Sequence, residues 1–209
     1  MSKTLVSRST DSALARVRAW KCRLATQTRW RFLGGPVKQQ VGSIAANQAG
    51  TRGIDDYFTR DYDRNIGAEI MGRNKFGPFR GPWEDHSWQG WWGDSPPFHT
   101  PVFVLTHFAR PSFSLGDTTF HFVEGSPAEI LKQAKSAAQG KDVRLGGGVQ
   151  TIKQFLDADL VDTMHVSVAP IAIGGGERLW SSPEELFDRF HHDEVASSSG
   201  YTHYLFWRK

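Results

Sequence analysis

The sequence predicts an α/β domain whose central sheet is mixed, mostly parallel and flanked by helices. Strand-like and helix-like segments alternate over much of the chain, and this alternation is typical of parallel strands joined by helices. The 209 residues, 39% of them hydrophobic, are enough for one large domain with a sizeable core. The last strand-like segment follows no helix, so we expect antiparallel pairing at that end of the sheet.

Short apolar or alternating runs bounded by turn residues predict the strands. "DVRLGGG" is predicted to be a strand that ends in a glycine triplet, and "VDTMHVSVAPIAIGGG" to be one long strand. The other predicted strands are "NIGAEIMG" (65–72), "TPVFVLTH" (100–107), "TTFHFVEG" (118–125) and "YTHYLFWRK" (201–209).

Two segments between these strands have the apolar spacing of amphipathic helices. Residues 126–138 begin with Ser126 as a capping residue and Pro127 at the first helical position, which is a common helix start. "VQTIKQFLDADL" repeats its apolar residues at helical spacing directly after the triplet Gly146, Gly147 and Gly148.

The triplet therefore lies between the carboxyl end of a strand and the amino end of a helix. The first N–H groups of a helix lack intrahelical partners and favour an anion, and glycine lets a phosphate approach closely. The spacing matches neither common nucleotide-binding glycine motif, so a plain tight turn stays open as the alternative. The second triplet, Gly174 to Gly176, is predicted to be a structural bend.

Charge separates the start of the chain from the rest. Residues 1–40 hold nine Lys or Arg and one acid, Asp11. We expect residues 1–50 to be an atypical basic segment, either disordered or supplying the first strand, and residues 51–209 to be the folded domain. The basic segment could be a targeting peptide or a nucleic-acid-binding arm, but it lacks the aromatic pattern of a stacking surface, so nucleic acid is not the expected partner.

Other features limit the class of protein. Cys22 is the only cysteine, which excludes an internal disulfide and a cysteine-based metal cluster, and no other spacing predicts a metal site. No apolar stretch is long enough to span a bilayer, so we expect a cytoplasmic protein. The Trp-rich segment 79–101 predicts either a hydrophobic plug or dimer contact, or an aromatic wall that stacks on a flat heterocycle.

Residues 52–209 resemble a known family. "RLGGGVQTIKQFLDADLVDTMHVSVAPIAIGGGERLW", with "EIMGRNKF" and "VFVLTH" upstream, looks like the reductase domain of the bifunctional deaminase-reductases of riboflavin biosynthesis and their dihydrofolate-reductase-like relatives. The resemblance implies a dihydrofolate-reductase-like sheet with NADPH across the carboxyl ends of its strands, and a homodimer.

The resemblance also implies which residues bind the cofactor. Gly72 and Arg73 match the family's M-G-R turn, where a guanidinium meets cofactor phosphate. Thr106 and His107 match residues near the adenosine 2′-phosphate, and the triplet Gly146, Gly147 and Gly148, with Val149 after it, matches the pyrophosphate site.

The implied activity is NADPH-dependent hydride transfer to a small heterocyclic, carbonyl or imine substrate, similar to that of 5-amino-6-(5-phosphoribosylamino)uracil reductase. The family's first-strand Ser-x-Asp-Gly segment is absent from "MSKTLVSRSTDSALARVRAW", so no catalytic residue is assigned. A non-catalytic NADPH-binding dimeric scaffold and a basic-arm nucleic-acid-binding protein stay open as alternatives.

Overall fold

The computed structural model describes residues 17–21, for which only the backbone is considered, and residues 53–61, 64–172 and 174–209. These residues form a nine-stranded sheet with α-helices and one short 3₁₀ helix at Pro183–Leu186. The strands are β1 (Val17–Lys21), β2 (Ile66–Gly72), β3 (Pro101–Leu105), β4 (Phe113–Leu115), β5 (Thr118–Val123), β6 (Asp142–Leu145), β7 (Thr163–Val168), β8 (Phe190–Ala196) and β9 (Thr202–Arg208); the α-helices are α1 (Ile54–Arg60), α2 (Arg73–Phe76), α3 (Pro127–Ala137) and α4 (Val149–Asp157).

The sheet is mixed and mostly parallel, as the sequence predicts. Its strand order is β4-β5-β3-β2-β6-β1-β7-β9-β8, and the six strands from β5 to β7 are parallel to one another. The strands β4, β9 and β8 pair antiparallel at the two ends. The long strand predicted over 161–176 is wrong in length, because β7 ends at Val168, two residues before Pro170, and Gly174 turns the chain with a φ of 70°.

Strand β1 lies in the middle of the sheet, between β6 and β7. Val17 is in register with Val143 of β6, and Trp20 with His165 of β7. Five residues of the basic segment 1–50 therefore belong to the sheet by their backbone pairing, in line with the alternative that this segment supplies the first strand. The rest of segment 1–50 lies outside the described residues.

One face of the sheet packs against α3 and α4 and is apolar. Ser126 caps α3 in a capping box with Glu129, and Ile130, Leu131 and Ala134 of this helix are buried. In α4 the buried apolar side chains are Val149, Ile152, Phe155 and Leu156, which recur at helical spacing and fix the helix onto the sheet. These two helices hold the loops that precede them at the carboxyl edge of the strands.

The opposite face of β2, β3 and β5 is covered by the Trp-rich segment. Phe76, Phe98 and Phe120 are buried in this second core, and Trp83, Trp88 and Trp92 pack against it. Trp92 stacks on Phe120 at a centroid distance of 5.9 Å. The segment thus acts mainly as a hydrophobic plug for this face. Trp91 is one of its residues that remain exposed.

Among the described helices, none is both long enough and apolar enough to cross a membrane.

Candidate functional site

A cleft of about 1050 Å³ opens at the carboxyl edge of the sheet. Gly72, Leu105 and Val123, at the ends of β2, β3 and β5, form its floor. Its walls are formed by α2 and the segment that follows it, by the loop before α3, and by α4. Ligands of open α/β sheets bind at this edge, because the loops and the amino ends of the helices converge there.

The amino end of α4 is open toward this cleft. Gly148 is the N-cap residue, with a φ of −66° and a ψ of 171°, and no side chain caps the helix. Gly148 lines the cleft, and an added Cβ would meet no atom within 4 Å. By contrast, the side chains of Ser126 and Glu129 cap α3. The first N–H groups of α4 are therefore available to an anionic ligand.

The other two glycines of the triplet serve packing. A Cβ on Gly146 would lie 2.6 Å from both Oε1 of Glu69 and Nζ of Lys75, and a Cβ on Gly147 would lie 2.9 Å from Cβ of Thr151. Neither glycine is among the residues that line the cleft. The triplet thus combines the two roles left open by the sequence, since Gly148 faces the cleft while Gly146 and Gly147 allow a close approach behind it.

A buried ionic cluster supports the triplet from behind. The side chain of Glu69 is fully buried, and its Oε1 accepts a hydrogen bond of 2.6 Å from Nζ of Lys75. Its Oε2 accepts a bond of 2.7 Å from Nε of Arg144, which is 1% exposed. Charge-assisted bonds of this kind compensate the desolvation of the carboxylate. The cluster ties β2, α2 and β6 together at the point where the triplet begins.

Arg73 lies on the wall of the cleft opposite the start of α4. Its Nη1 donates a hydrogen bond to the carbonyl of Gly81, and its Cζ lies 3.8 Å from the ring centroid of Trp83. Its Nε and Nη2 are buried and have no hydrogen-bond partner among the described residues. Burial, and then the charge of Arg80, lower the pKa of the Arg73 guanidinium. Unsatisfied buried donors are costly, so this arrangement favours an anion next to Arg73.

Gly72 and Thr151 bring β2 and α4 together on the cleft floor. A Cβ on Gly72 would collide with the hydroxyl of Thr151, and both residues line the cleft. Glycine at this position therefore lets α4 sit close to the end of β2. That contact sets the distance between the Arg73 wall and the uncapped end of α4.

The predicted 2′-phosphate site at Thr106 and His107 contains a carboxylate. Thr106 accepts a hydrogen bond of 3.1 Å from the amide of Phe108, and so shapes a local turn. The Nδ1 of His107 lies 3.2 Å from Oε1 of Glu124, and both of these side chains are largely exposed. The negative charge of this carboxylate opposes a 2′-phosphate at the same corner.

The structure thus gathers five of the predicted site residues around one cleft: Gly72, Arg73, Thr106, His107 and Gly148. Val149 is buried in the core instead. Two cleft residues that the sequence did not indicate are Arg80, next to Arg73, and Glu177, whose Oε1 accepts a hydrogen bond of 3.3 Å from Gln150. The turn at Gly81, with a φ of 71°, follows Arg80 directly.

Away from this cleft, a pair of buried histidines connects α1 to the sheet. The Nε2 of His165 lies 2.9 Å from Nδ1 of His203, and Phe58 packs against both imidazole rings. Burial lowers the pKa of His165 to about 4, and the neighbouring His203 adds to this shift. The described residues contain no cluster of His, Cys, Asp and Glu that could hold a metal ion.

The sheet order and the position of the cleft define a dihydrofolate-reductase-like domain. Residues 37–198 match the family model described as the RibD C-terminal domain, and the chain belongs to this family. Strand β1 precedes the matched range. A comparison with curated proteins found no match.

Solved structures with the same fold come from several bacteria. A pyrimidine reductase-like protein from Corynebacterium diphtheriae is 14% identical with a TM-score of 0.50, and the alignment covers 93% of this chain and 92% of that one. RibD from Acinetobacter baumannii is 16% identical with a TM-score of 0.53, covering 95% of this chain and 59% of that one.

A third structure is the diaminohydroxyphosphoribosylaminopyrimidine deaminase/5-amino-6-(5-phosphoribosylamino)uracil reductase from Thermotoga maritima. It is 11% identical with a TM-score of 0.56, covering 94% of this chain and 57% of that one. The present chain therefore spans less than two thirds of the length of these last two proteins.

Proposed function

We propose that this chain is an NADPH-dependent reductase similar to 5-amino-6-(5-phosphoribosylamino)uracil reductase of riboflavin biosynthesis. Its substrate would be a small heterocycle, carbonyl compound or imine. Membership of the RibD C-terminal domain family and the cleft at the carboxyl edge of the sheet support the proposal. The family argument supports the reaction class, and the residues of the cleft support the choice of cofactor.

The observation that carries the proposal is the pair of anion-binding groups on the two sides of the cleft. Arg73 offers a guanidinium with two unsatisfied nitrogens, and Gly148 leaves the amino end of α4 uncapped. A dinucleotide has a diphosphate that suits a helix amino end and, in NADPH, a further phosphate that suits arginine. The residues present therefore fit this cofactor.

In this arrangement the residues of the cleft bind the cofactor and orient it. The N–H groups at the start of α4 would hold the diphosphate, Arg73 would hold a second phosphate, and Gly72 lets α4 sit close to the floor beneath the ligand. When bound, NADPH supplies a hydride from its nicotinamide C4, which together with a proton reduces a C=N or C=O bond. Holding the two reactants in one orientation is the main catalytic contribution expected of such a site.

Calorimetric titration of the full chain with NADPH and NADH tests the proposal. We expect measurable binding, with NADPH preferred, and oxidation of NADPH when 5-amino-6-(5-phosphoribosylamino)uracil is added. The variant Arg73→Met keeps an apolar side chain against Trp83 and removes the charge, so its affinity for NADPH should fall at least tenfold. Arg60→Met is the matched control, because Arg60 is exposed on α1 and pairs with Asp56.

Two results would overturn this proposal. The first is a wild-type protein that binds neither nucleotide. The second is binding without any oxidation of NADPH by pyrimidine, carbonyl or imine substrates, which would leave the non-catalytic scaffold as the better reading.

A further inference from the structure

Arg80 lies beside Arg73 in the cleft wall and shares its electrostatic environment. Both residues line the cleft, and the carbonyl of Gly81, the residue after Arg80, accepts a hydrogen bond from Nη1 of Arg73. The two guanidinium charges repel each other, which contributes to the lowered pKa of Arg73. Within the described ranges, neither arginine forms an ion pair with a carboxylate.

A third guanidinium increases the positive charge of this wall. Arg110 is 8% exposed and donates hydrogen bonds of 2.8 and 2.7 Å to the carbonyls of Trp88 and His86. Its Cζ lies 4.8 Å from the ring centroid of Trp83, the same ring that Arg73 contacts. The exposed carboxylate of Asp85 offsets part of this charge. Because the bonds of Arg110 are used on backbone carbonyls, it adds charge to the wall without being a ligand group itself.

The acidic side chains of the cleft are on other parts of its lining. Glu124 follows β5 and faces His107, Asp157 ends α4, and Glu177 contacts Gln150. A doubly charged phosphate entering the cleft is therefore attracted to the Arg73 and Arg80 wall and repelled from the corner of Glu124.

We propose that Arg80, together with Arg73, forms a binding site for a phosphate monoester, separate from the diphosphate site at the start of α4. Arginine suits this role because its planar guanidinium can form two parallel bonds to one phosphate. The phosphate would also relieve the repulsion between the two arginines and satisfy donors of Arg73 that now lack partners. This inference rests on the proposed function for the use of the cleft.

Two phosphate monoesters fit this chemistry. One is the 2′-phosphate of NADPH, and the other is the phosphate of a phosphoribosyl substrate. The variant Arg80→Gln is used to distinguish the two ligands. Arg80 is an exposed side chain, so its replacement should leave the fold and the melting temperature unchanged. Arg64→Gln is the matched control, since Arg64 is exposed, pairs with Asp61 and does not line the cleft.

The probes are NADPH, NADH and ribose 5-phosphate, each titrated into the full-length wild-type protein and both variants. If the site takes the 2′-phosphate, Arg80→Gln weakens NADPH binding about tenfold and changes NADH binding less than twofold. If it takes a substrate phosphate, both nucleotides bind as before and Arg80→Gln loses the affinity for ribose 5-phosphate. In either case binding should strengthen between about pH 5.5 and 7.5, as the monoester gains its second charge.

The proposal is overturned if Arg80→Gln binds NADPH and ribose 5-phosphate as the wild type does, or if the wild type binds neither. A wild type that binds ribose 5-phosphate through Arg80 but no nucleotide would refute the proposed function and leave this site standing.

Discussion

The Oδ1 atom of Asp55 lies 2.7 Å from Nε2 of His203, although the two residues are far apart in the chain. This contact fastens α1 to β9 and continues to His165 on β7 through the bond between the two histidine rings. On the other side of the carboxylate, Oδ2 of Asp55 accepts a bond of 2.5 Å from Ser199, which is the largest cause of the lowered pKa of Asp55. The group holds a helix to the sheet through hydrogen bonds and the packing of Phe58 on the two histidine rings, although α1 has no fully buried residue.

The first prediction is that stability falls with acidification between about pH 6.5 and 4. The pKa of His165 is lowered from 6.5 to about 4 in the folded protein, so in this range the unfolded chain binds a proton that the folded chain does not. Stability from His165 is therefore complete above pH 6.5 and decreases as the pH falls toward 4, by at most about 3 kcal/mol. Chemical denaturation at a series of pH values measures this change.

The control is His165→Asn, in which this pH dependence should be smaller than in the wild type. Asp55 and other carboxylates titrate in both proteins, so their contribution cancels in the comparison. Equal slopes of unfolding free energy against pH in the two proteins would contradict the prediction.

The second prediction separates helix capping from ligand binding at Gly148. Asp and Asn are both good N-cap residues, the backbone angles of Gly148 suit them, and no atom obstructs a Cβ there. Both Gly148→Asp and Gly148→Asn should keep or slightly raise the melting temperature. Only the aspartate places a negative charge at the diphosphate site, so Gly148→Asp should bind NADPH at least tenfold more weakly than Gly148→Asn. Equal affinities would remove the start of α4 from the cofactor site.

The third prediction concerns Gly146. In Gly146→Ala the new methyl group would overlap the Glu69 carboxylate and the Lys75 ammonium, which cannot both move without disturbing the buried ion cluster. We expect a loss of about 1–3 kcal/mol in the free energy of unfolding. Gly175→Ala is the control, because nothing lies within 4 Å of a Cβ at that position. Similar stability of the two variants would show that the close approach at Gly146 is relaxed in solution.

The fourth prediction tests the central position of β1. Ala19 is in register with Leu145 on one side and Met164 on the other, and proline cannot continue the ladder in a central strand. Ala19→Pro should lower the melting temperature by more than about 5 °C, and deletion of residues 1–40 should do so to a greater extent. An unchanged melting temperature after the deletion would show that β1 does not stabilise the sheet.

The sequence predicts those elements in which a local pattern and tertiary packing agree. The helix expected over 126–138 is found at Pro127–Ala137, because its capping residue, its proline and its apolar spacing all indicate the same start. Strand β8 was not predicted, since His191, His192, Asp193 and Glu194 are all exposed on this edge strand and show no alternation. Helix α1 was missed for a similar reason, because it buries no apolar face.

The candidate site could be predicted only where the chain is locally distinctive. Arg73 follows a recognisable strand end and Gly148 precedes a recognisable helix, and both line the cleft. Arg80 has no such local signal, since its place beside Arg73 depends on a turn at Gly81 that the Arg73 side chain itself contacts. The packing role of Gly146 depends on Glu69, which is distant in sequence and reaches the triplet only through the pairing of β2 with β6.

The place of β1 has a consequence for how the protein folds. This strand is synthesised before the other described strands, yet both of its partners, β6 and β7, lie more than 100 residues later in the sequence. Until they emerge, the growing chain has no neighbours for β1, and β6 and β7 in turn depend on it to join the two parts of the sheet. Closing such a long loop is slow and leaves unpaired strand edges exposed meanwhile. We therefore expect the sheet to be completed only after β6 and β7 have been synthesised, with aggregation of incomplete chains as the main competing reaction.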